Sequence, residues 1–485
     1  MSTLPTFVDA CRRHYPAFVA AVLLLAAFNV GFRLDREIVR QWDESLYATA
    51  AWEMMTSGNW VATTFRGSLD YYNSKPPLNV WLIAGAFKIF GVNLMALRMA
   101  SAIAAWLTVA VLMWWSRRIF GPALSVLSGL ALSTNFAFLI VHSGRSAETD
   151  ALYALLILLT VVILWAAWDH PWRLAWLGPT LAAVFLLRGM AVLMPAAIVL
   201  AVEAWPGRVR RQRWLPALCA LLLMLVPVVA WAVTRWQVDE WRFLRQLFWY
   251  DFVARSVTTI ETHRGSVFYY LNILQKHHYE WLLAALLALS LYPPSWSDIR
   301  DVFRWPVRGE RVKPLLIAWV GVTLVMPTVM ATKLPWYLNP FYPVCAIGIA
   351  VLLGRAFTRA AMEPARSRRS LALGLIVVLA LGVAEGKLIW YSYHHRDLGR
   401  STQGLLIAQG AALQGRQVFC SSWDRSEMFV IEALLRATHR LASDVPDFLR
   451  EGRPGDYFLS TREISHPGLT PAGSVRSHWL YRRHE

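Results

Sequence analysis

The feature that most constrains this chain is a series of apolar runs, each close to the length of a membrane-spanning helix. A helix needs about 20 residues to cross the hydrocarbon core of a bilayer. Eleven runs approach that length, at 16–33, 97–115, 122–141, 151–168, 173–187, 190–206, 215–235, 281–296, 314–332, 336–354 and 371–391. Only 16% of the residues are charged, against roughly 25% in soluble proteins. The sequence therefore predicts an all-α polytopic membrane protein with about 11 transmembrane helices.

The basic residues predict an orientation in the membrane. Lys and Arg number 48 against 31 Asp and Glu, so the net charge is +17. With a cytoplasmic N-terminus, each basic cluster of a short loop falls inside, as the positive-inside rule requires. These clusters are Arg12/Arg13, Arg117/Arg118, Arg173, 208–213, 300–313 and 355–369. Because they stand between apolar runs, we expect membrane lipids as partners and no nucleic acid.

The opposite side of the membrane receives most of the polar sequence. It carries two long loops, about 34–96 and 236–280, and the tail after Tyr391. We expect this side to be external, opposite the cytoplasm. The four cysteines form no CxxC pair, so neither a disulfide framework nor a structural zinc site is indicated.

Both the first loop and the tail carry local structural signals. Residues 43–55 predict an amphipathic helix, and 76–92 predict a helix that lies at the membrane interface. In the tail, strand-like runs at 417–420 and 456–459 surround a helical stretch near 427–437. We predict a transmembrane domain over 1–391 and a small α/β domain outside the membrane over 392–485, which the resemblance named below would place in the periplasm.

Acidic residues on the predicted external face are candidates for catalysis. Asp43 and Glu44 are adjacent, just beyond the first span. Asp43 could cap a helix by accepting backbone N–H bonds, or act as a general base at the membrane surface, and both interpretations stay open. Asp150 closes the short loop that begins at His142, and Glu148 is a further acid there. Since both loops emerge on the same face, Asp43 and Asp150 can converge on one cleft.

Cations on the same face suggest a bound phosphate. Lys75, Arg145, Arg188 and Lys333 all run against the positive-inside trend. Snorkelling to headgroups is the alternative for each, but two prolines stiffen the backbone directly after Lys75. A divalent metal ion is also left open, with Glu261, His263 and His142 as candidate ligands; two ligands in Glu-x-His do not complete a site.

Taken in order, these segments resemble the polyprenyl-phosphate-sugar-dependent glycosyltransferases of the GT-C superfamily. Within it they are most similar to the branch of the lipid A aminoarabinose transferase and the protein O-mannosyltransferases. The likeness covers residues 10–355, and the acidic pair followed by Lys-Pro-Pro is its most specific part. The matching pieces are 42–48, 53–60, 72–78 with Trp81, Arg145 with Asp150, 185–189, 248–251, 263–265 and 333–337.

The resemblance implies a GT-C fold and inverting transfer of a sugar from a polyprenyl-phosphate donor at the periplasmic face of the inner membrane. The acceptor would be a hydroxyl or phosphate of a lipid, a glycan or a protein. Asp43 would be the base, Glu44 its neighbour, and Asp150 would orient the sugar or the cations. The residues implied for the donor phosphate are Lys75, Arg145, Lys333 and Tyr337, with Arg188 at a position where relatives commonly carry Lys.

A transporter or flippase of a lipid-linked anion is the alternative function. It would require charged residues deep in several spans and broken helices near the midplane. The acids and cations of this sequence gather instead at the outer ends of the spans, which favours a transferase.

Overall fold

The computed structural model describes residues 6–205, 213–254, 263–294, 311–363, 367–395 and 397–484. Its helices are α1 Phe7–Arg13, α2 Tyr15–Gly31, α3 Asp43–Ser57, α4 Leu78–Phe90, α5 Leu94–Phe120, α6 Pro122–Ser133, α7 Phe136–Ile140, α8 Asp150–Ala166, α9 Leu177–Arg188, α10 Leu193–Glu203, α11 Trp214–Asp239, α12 Arg242–Phe248, α13 Tyr269–Leu291, α14 Val312–Val329, α15 Tyr342–Ala360, α16 Arg368–His394, α17 Thr402–Ala408, α18 Gly410–Leu413, α19 Arg425–Phe429 and α20 Val445–Glu451. Short 3₁₀ segments are Leu34–Arg36, Pro171–Trp176, Gly189–Val192, Pro335–Phe341 and Leu398–Arg400, and π-helical turns are Trp249–Ala254 and Val430–Leu434.

The predicted all-α membrane architecture is confirmed, and within the described residues each predicted span overlaps helix. Among the described residues, seven helical segments are long and apolar enough to cross a membrane. They are Tyr15–Arg36, Leu94–Phe120, Pro171–Glu203, Trp214–Asp239, Val312–Val329, Pro335–Ala360 and Arg368–His394. Shorter apolar helices are Leu78–Phe90, Pro122–Ser133 and Asp150–Ala166. Helix α13 begins at Tyr269, well before the predicted start at 281. The number of about 11 spans stays a prediction.

The long segment Pro171–Glu203 reverses direction at Gly189. Arg188, at the end of α9, donates to the Asp150 carboxylate at the start of α8. Arg213 donates to the carbonyl of Ala167 just past the end of α8, and it pairs with Glu203 at the end of α10. Residues 150 and 188 thus share one end of the bundle while 167 and 203 share the other. Gly189 has φ +56°, a conformation that glycine adopts readily.

Basic side chains gather where α8 ends. Arg173 donates to the carbonyl of Ala166 at 3.2 Å, and Arg311 pairs with Asp169. Arg213 lies at the same level. At 1.5 Å per residue, α8 separates this basic end from Asp150 by about 25 Å. We call the end that contains Asp150 the site end.

The helices approach closely because small residues face their neighbours. Helix α6 packs on α5 and α15. A Cβ at Gly129 would lie 2.6 Å from the Met113 sulfur, so the two helices can come together only around a glycine. Hydrogen bonds also link α2, α5 and α6 inside the bundle: the Tyr15 hydroxyl hydrogen-bonds Ser125, which donates to the Met113 carbonyl.

The C-terminal region, residues 397–484, contains a five-stranded mixed sheet. Its strands are β3 Gln417–Cys420, β4 Thr438–Leu441, β5 Tyr457–Ser460, β6 Leu469–Val475 and β7 His478–Arg483, in the order β4-β3-β5-β7-β6. Strand β3 runs parallel to β4 and β5, and β7 pairs antiparallel with β5 and β6. The expected small sheet domain is confirmed, and the strand predicted at 456–459 is shifted by one residue. The helical stretch predicted near 427–437 ends at Leu434, since β4 begins at Thr438.

The first long loop and the C-terminal region share one hydrophobic core. This loop contains α3, α4 and the hairpin β1 Thr64–Phe65 with β2 Ser68–Leu69. Tyr47 and Val39 of the loop pack in the same buried cluster as Val418 and Phe429. Helix α3 is rich in Ala, Leu, Met and Glu, which favour helix. It ends at Gly58, whose φ is +75° and whose N–H bonds the Met54 carbonyl.

Candidate active site

Two cavities meet at the site end of the bundle. The larger has a volume of about 850 Å³ and the smaller about 350 Å³. Asp43, Lys75, Leu334 and Trp336 line both of them. An acid and a cation therefore stand on the boundary between two compartments, where a group bound in one can meet a group bound in the other.

The two cavities differ in chemistry. The larger one carries Arg40, His142, Glu148 and His263 on its walls. The smaller one is walled by Met190, Met194, Met326, Met330 and other apolar side chains, with Arg188 and Tyr337 beside Lys75. The smaller cavity suits an apolar chain that carries an anionic head, and the larger suits a polar or charged molecule.

Asp43 is the first residue of α3 and is not its N-cap. The N-cap is Trp42, whose φ of +76° is rare for any residue other than glycine. Such conformations cost about 1–3 kcal/mol and cluster at functional sites. The Asp43 side chain keeps 32% of its surface exposed. Asp43 is therefore not the N-cap residue of α3, and it lines both cavities.

His142 brings the acidic residues of two loops together. Its Nε2 lies 3.6 Å from Asp43 Oδ2, its Nδ1 lies 3.3 Å from Asp150 Oδ2, and Nδ1 also contacts Glu148. Its ring stacks on Trp336 with centroids 4.0 Å apart. Burial alone would lower the pKa of His142, but the surrounding carboxylates, Glu148 foremost, raise it to about 10. The His142 ring thus lies between Asp43 and Asp150 and contacts both carboxylates.

His142, Glu148 and Asp150 form a cluster that could hold a metal ion. His142, Glu148 and Asp150 each offer one ligand atom, and these atoms lie within 4.8 Å of one another. His263 lines the larger cavity but is not part of this cluster. Glu261 lies outside the described residues. The donor set of one imidazole and two carboxylates fits a divalent ion such as Zn²⁺ or Mn²⁺.

Arg188 and Lys75 supply positive charge to the smaller cavity. Arg188 Nη1 donates to Asp150 Oδ1 at 2.6 Å, and its guanidinium lies over the Tyr153 ring. One end of this guanidinium is thus fixed by Asp150 while Arg188 still lines the cavity. Tyr337 lies on the same wall.

Glu44 is held by buried groups of the protein, whereas its position next to Asp43 predicted a catalytic role. It is fully buried and accepts bonds from Arg98 Nε at 2.8 Å, the Arg40 N–H at 2.7 Å and the Ala147 N–H at 3.0 Å. Although burial opposes ionisation, the Arg98 guanidinium lowers the pKa of Glu44. Glu44 lines neither cavity, so we revise its role from catalysis to fixing the loop.

The guanidinium of Arg145 also bonds groups within the protein. Its Nε and Nη2 donate to Glu37 Oε1 at 2.9 and 2.6 Å, and its other donors reach the carbonyls of Asn29 and Phe32. The residue is only 1% exposed and lines neither cavity. We therefore revise the expectation that Arg145 holds the donor phosphate: it anchors the end of the first span.

Lys333 caps the C-terminal end of helix α14. Its ammonium donates to the Met330 carbonyl at 3.0 Å and to the Thr328 carbonyl, at the last turn of α14. Because these groups are the carbonyls that a helix leaves unpaired, the cation is used as a cap. Lys333 lines neither cavity, and we no longer assign it to the phosphate.

Two site residues were missed by the sequence reasoning. Arg40 lines the larger cavity and donates to the Ile140 carbonyl at 3.1 Å. Burial alone would lower its pKa, yet the carboxylates of Glu148, Glu44 and Glu37 raise it. Trp336 lines both cavities, although an aromatic residue where a span begins is typical of a membrane-interface belt. The position of Arg40 was the signal that could have identified it, because it is a cation on the predicted external face, three residues before Asp43.

Known structures share the arrangement of these elements. ArnT from Cupriavidus metallidurans bound to undecaprenyl phosphate matches 96% of this chain and 97% of its own, with a TM-score of 0.69 at 18% identity. The chain has the GT-C fold. A family described as dolichyl-phosphate-mannose-protein mannosyltransferase matches residues 74–232, which include Lys75, the His142 cluster and Arg188. The GT-C fold that the resemblance implies is thereby confirmed.

Curated relatives of this GT-C chain are undecaprenyl phosphate-α-4-amino-4-deoxy-L-arabinose arabinosyl transferases. The protein from Pseudomonas paraeruginosa is 30% identical over 372 residues, which are 75% of this chain and 63% of that relative. The first such transferase of Pseudomonas fluorescens is 28% identical over 345 residues, 69% of this chain and 59% of the relative. The matched part of the chain thus spans about three fifths of the length of these relatives.

Proposed function

We propose that this protein is an inverting glycosyltransferase that moves a sugar from a polyprenyl-phosphate donor to a hydroxyl or phosphate acceptor. The reaction takes place at the site end of the bundle, on the periplasmic face of a bacterial inner membrane. One observation carries the proposal: Asp43 and Lys75 lie on the boundary shared by a Met-lined cavity and a polar cavity.

The smaller cavity accepts the donor. Its methionines contact the first isoprene units, while Lys75 and Arg188 face the phosphate. A phosphate whose charge is met by fixed cations in a poorly hydrated site is a good leaving group. Tyr337, on the same wall, donates a hydrogen bond to a phosphate oxygen.

The larger cavity accepts the nucleophile. Asp43 removes the proton of the acceptor hydroxyl, and the freed oxygen attacks the anomeric carbon from the face opposite the phosphate. The bond between that carbon and the phosphate oxygen breaks, the electron pair leaves with polyprenyl phosphate, and the proton stays on Asp43. His142 and Asp150 hold Asp43 and Arg188 in the orientation that this step needs. Glu44, Arg145 and Lys333 take no part in the chemistry.

The relatives suggest the sugar and its carrier. Their names specify 4-amino-4-deoxy-L-arabinose on undecaprenyl phosphate, and we propose an aminopentose donor of this kind. The larger cavity presents Arg40, Lys75 and His142 together with the acids Asp43 and Glu148, and these basic groups suit an acceptor bearing phosphate, such as a lipid A-like lipid. The basic end of the bundle, at Arg173, Arg213 and Arg311, then faces the cytoplasm.

The test is a transfer assay in detergent with a radiolabelled polyprenyl-phosphate-sugar donor and a lipid extract as acceptor. We expect wild type to label a product and Asp43→Asn to lose transfer by about 10²–10⁴-fold, the usual contribution of a general base. Asp35→Asn is the matched control, because Asp35 is an exposed acid of the same loop that pairs only with Arg36 among the described residues.

The outcomes separate this proposal from its alternatives. Equal transfer by wild type and Asp43→Asn would remove Asp43 from the mechanism. Donor movement across liposome membranes without a glycosylated product would instead favour a flippase. Loss of transfer in Asp35→Asn as well would show that any change in this loop inactivates the enzyme.

A further inference from the structure

A glutamine of the C-terminal region holds the backbone that leads to Asp43. The Val39 N–H donates to Gln403 Oε1 at 2.8 Å, and Gln403 Nε2 donates back to the Val39 carbonyl at 2.9 Å. Gln403 is buried, with 5% of its surface exposed. The side-chain amide thus bonds both backbone groups of Val39, as a neighbouring β-strand would. Val39 stands four residues before Asp43 and one before Arg40.

An arginine of the same region holds the turn that leads to Lys75. Arg425 Nη2 donates to Asp70 Oδ2 at 2.6 Å, and its guanidinium lies 3.8 Å from the Phe65 ring centre. The other oxygen of Asp70 accepts the N–H groups of Tyr72 and Asn73 at 3.0 and 3.3 Å. The ion pair therefore fixes a turn two residues before Lys75.

These two anchors belong to one network. Gln403 Nε2 also donates to Ser426 Oγ at 2.9 Å, and Ser426 is the neighbour of Arg425. Asp424 Oδ1 in turn accepts the Ser426 N–H and hydroxyl at 2.7 and 2.6 Å. The start of α19 is consequently joined to both segments of the first loop.

Both segments need an external anchor because neither has regular structure. Residues 38–42 and 70–77 lie outside helices and strands. Pro76 and Pro77 have no N–H to donate. Asp70 therefore holds this segment upstream of Lys75, while the Trp81 N–H of α4 bonds the Pro77 carbonyl downstream of it. A displacement of about 1 Å at a reacting group can cost on the order of 10²-fold in rate.

We propose that Gln403 and Arg425 are positioning residues: through Val39 and Asp70, the C-terminal region sets the distance between Asp43 and Lys75. This rests on the proposed function, in which Asp43 is the base and Lys75 binds the phosphate. The C-terminal region is then part of the transferase machinery, although none of its residues lines either cavity.

The proposal predicts different kinetic effects for the two anchors. Gln403→Met keeps the side-chain length and removes three hydrogen bonds; it should lower kcat by about 10–100-fold with little change in the Kd for undecaprenyl phosphate. Arg425→Lys replaces a forked contact with a point charge and should raise that Kd by about tenfold with a smaller effect on kcat. A residue that only stabilised the interface would lower the amount of folded enzyme and leave both constants unchanged.

The experiment uses the full chain in detergent and measures three quantities for each variant. These are the Kd for undecaprenyl phosphate, the kcat and KM for transfer, and hydrogen–deuterium exchange of residues 37–43 and 70–75. Gln409→Met is the matched control, because Gln409 donates to the Ala472 carbonyl within the C-terminal region and touches neither loop segment. If Gln403→Met does not accumulate, Gln403→Glu keeps the acceptor for the Val39 N–H and loses the donated bonds.

We expect faster exchange at 37–43 in the Gln403 variant, faster exchange at 70–75 in the Arg425 variant, and neither in the control. Wild-type constants and exchange in both variants would overturn the proposal, and so would a loss of folded protein with unchanged constants per folded molecule. If wild type itself neither binds undecaprenyl phosphate nor transfers a sugar, the proposed function fails. The exchange data would then still decide whether Gln403 and Arg425 hold the two segments.

Discussion

Asp43 and Glu44 are adjacent acids of the same helix, and removing the charge of each should have opposite consequences. Asp43→Asn should keep the fold and lose transfer, whereas Glu44→Gln should lose stability. The reason is the partner set of Glu44: the Arg98 guanidinium and two backbone N–H groups converge on its carboxylate, and the residue has no exposed surface.

The size of the effect at Glu44 follows from those contacts. Breaking a buried ion pair by removing one partner costs about 3–5 kcal/mol, because the remaining charge stays buried and unpaired. A Gln side chain also turns an NH₂ group towards donors that needed an acceptor, which adds about 1–3 kcal/mol for each unmet group. Asp43 is one-third exposed and contacts His142 at 3.6 Å, so its neutralisation should change stability by about 1 kcal/mol or less.

The assay compares thermal unfolding in detergent with the transfer rate per folded molecule. Glu44→Gln should unfold many degrees below wild type, and the fraction that stays folded should retain transfer. Asp43→Asn should unfold near wild type with little transfer. A Glu44→Gln protein that is as stable as wild type but inactive would refute the assignment, since it would show Glu44 acting in the reaction.

Three further predictions follow from the site. Arg188→Met should weaken undecaprenyl phosphate binding by about tenfold, and Arg188→Lys should weaken it less, as measured by isothermal titration. Equal binding by wild type and both variants would remove Arg188 from the phosphate site. Arg145→Met should lower stability by about 3–5 kcal/mol, because Glu37 is left buried without its partner, and should leave the Kd of the folded fraction unchanged. EDTA should leave transfer within about twofold, since cations already offset the carboxylates around His142; loss restored by Mn²⁺ would instead make that cluster a metal site.

The sequence by itself determined the membrane architecture and the positions of most elements. The apolar runs located the spans, since the hydrocarbon core fixes their length and composition. The amphipathic pattern at 43–55 located α3, and the strand-like run at 417–420 located β3. These features depend on neighbours in the chain, so a pattern of residue types is sufficient to predict them. The face on which Asp43, Asp150 and Lys75 emerge could be predicted for the same reason.

The tertiary structure alone decided which charged residues line the two cavities. Asp43 and Glu44 point about 100° apart on one helix: one carboxylate reaches a cavity and the other reaches Arg98, 54 residues later in the chain. Arg145 and Arg188 look alike in sequence. Arg145 pairs with Glu37 in the buried core, whereas Arg188 pairs with Asp150 and still lines the smaller cavity. A buried charge takes its role from its partner, and distant segments supply that partner only when they pack together.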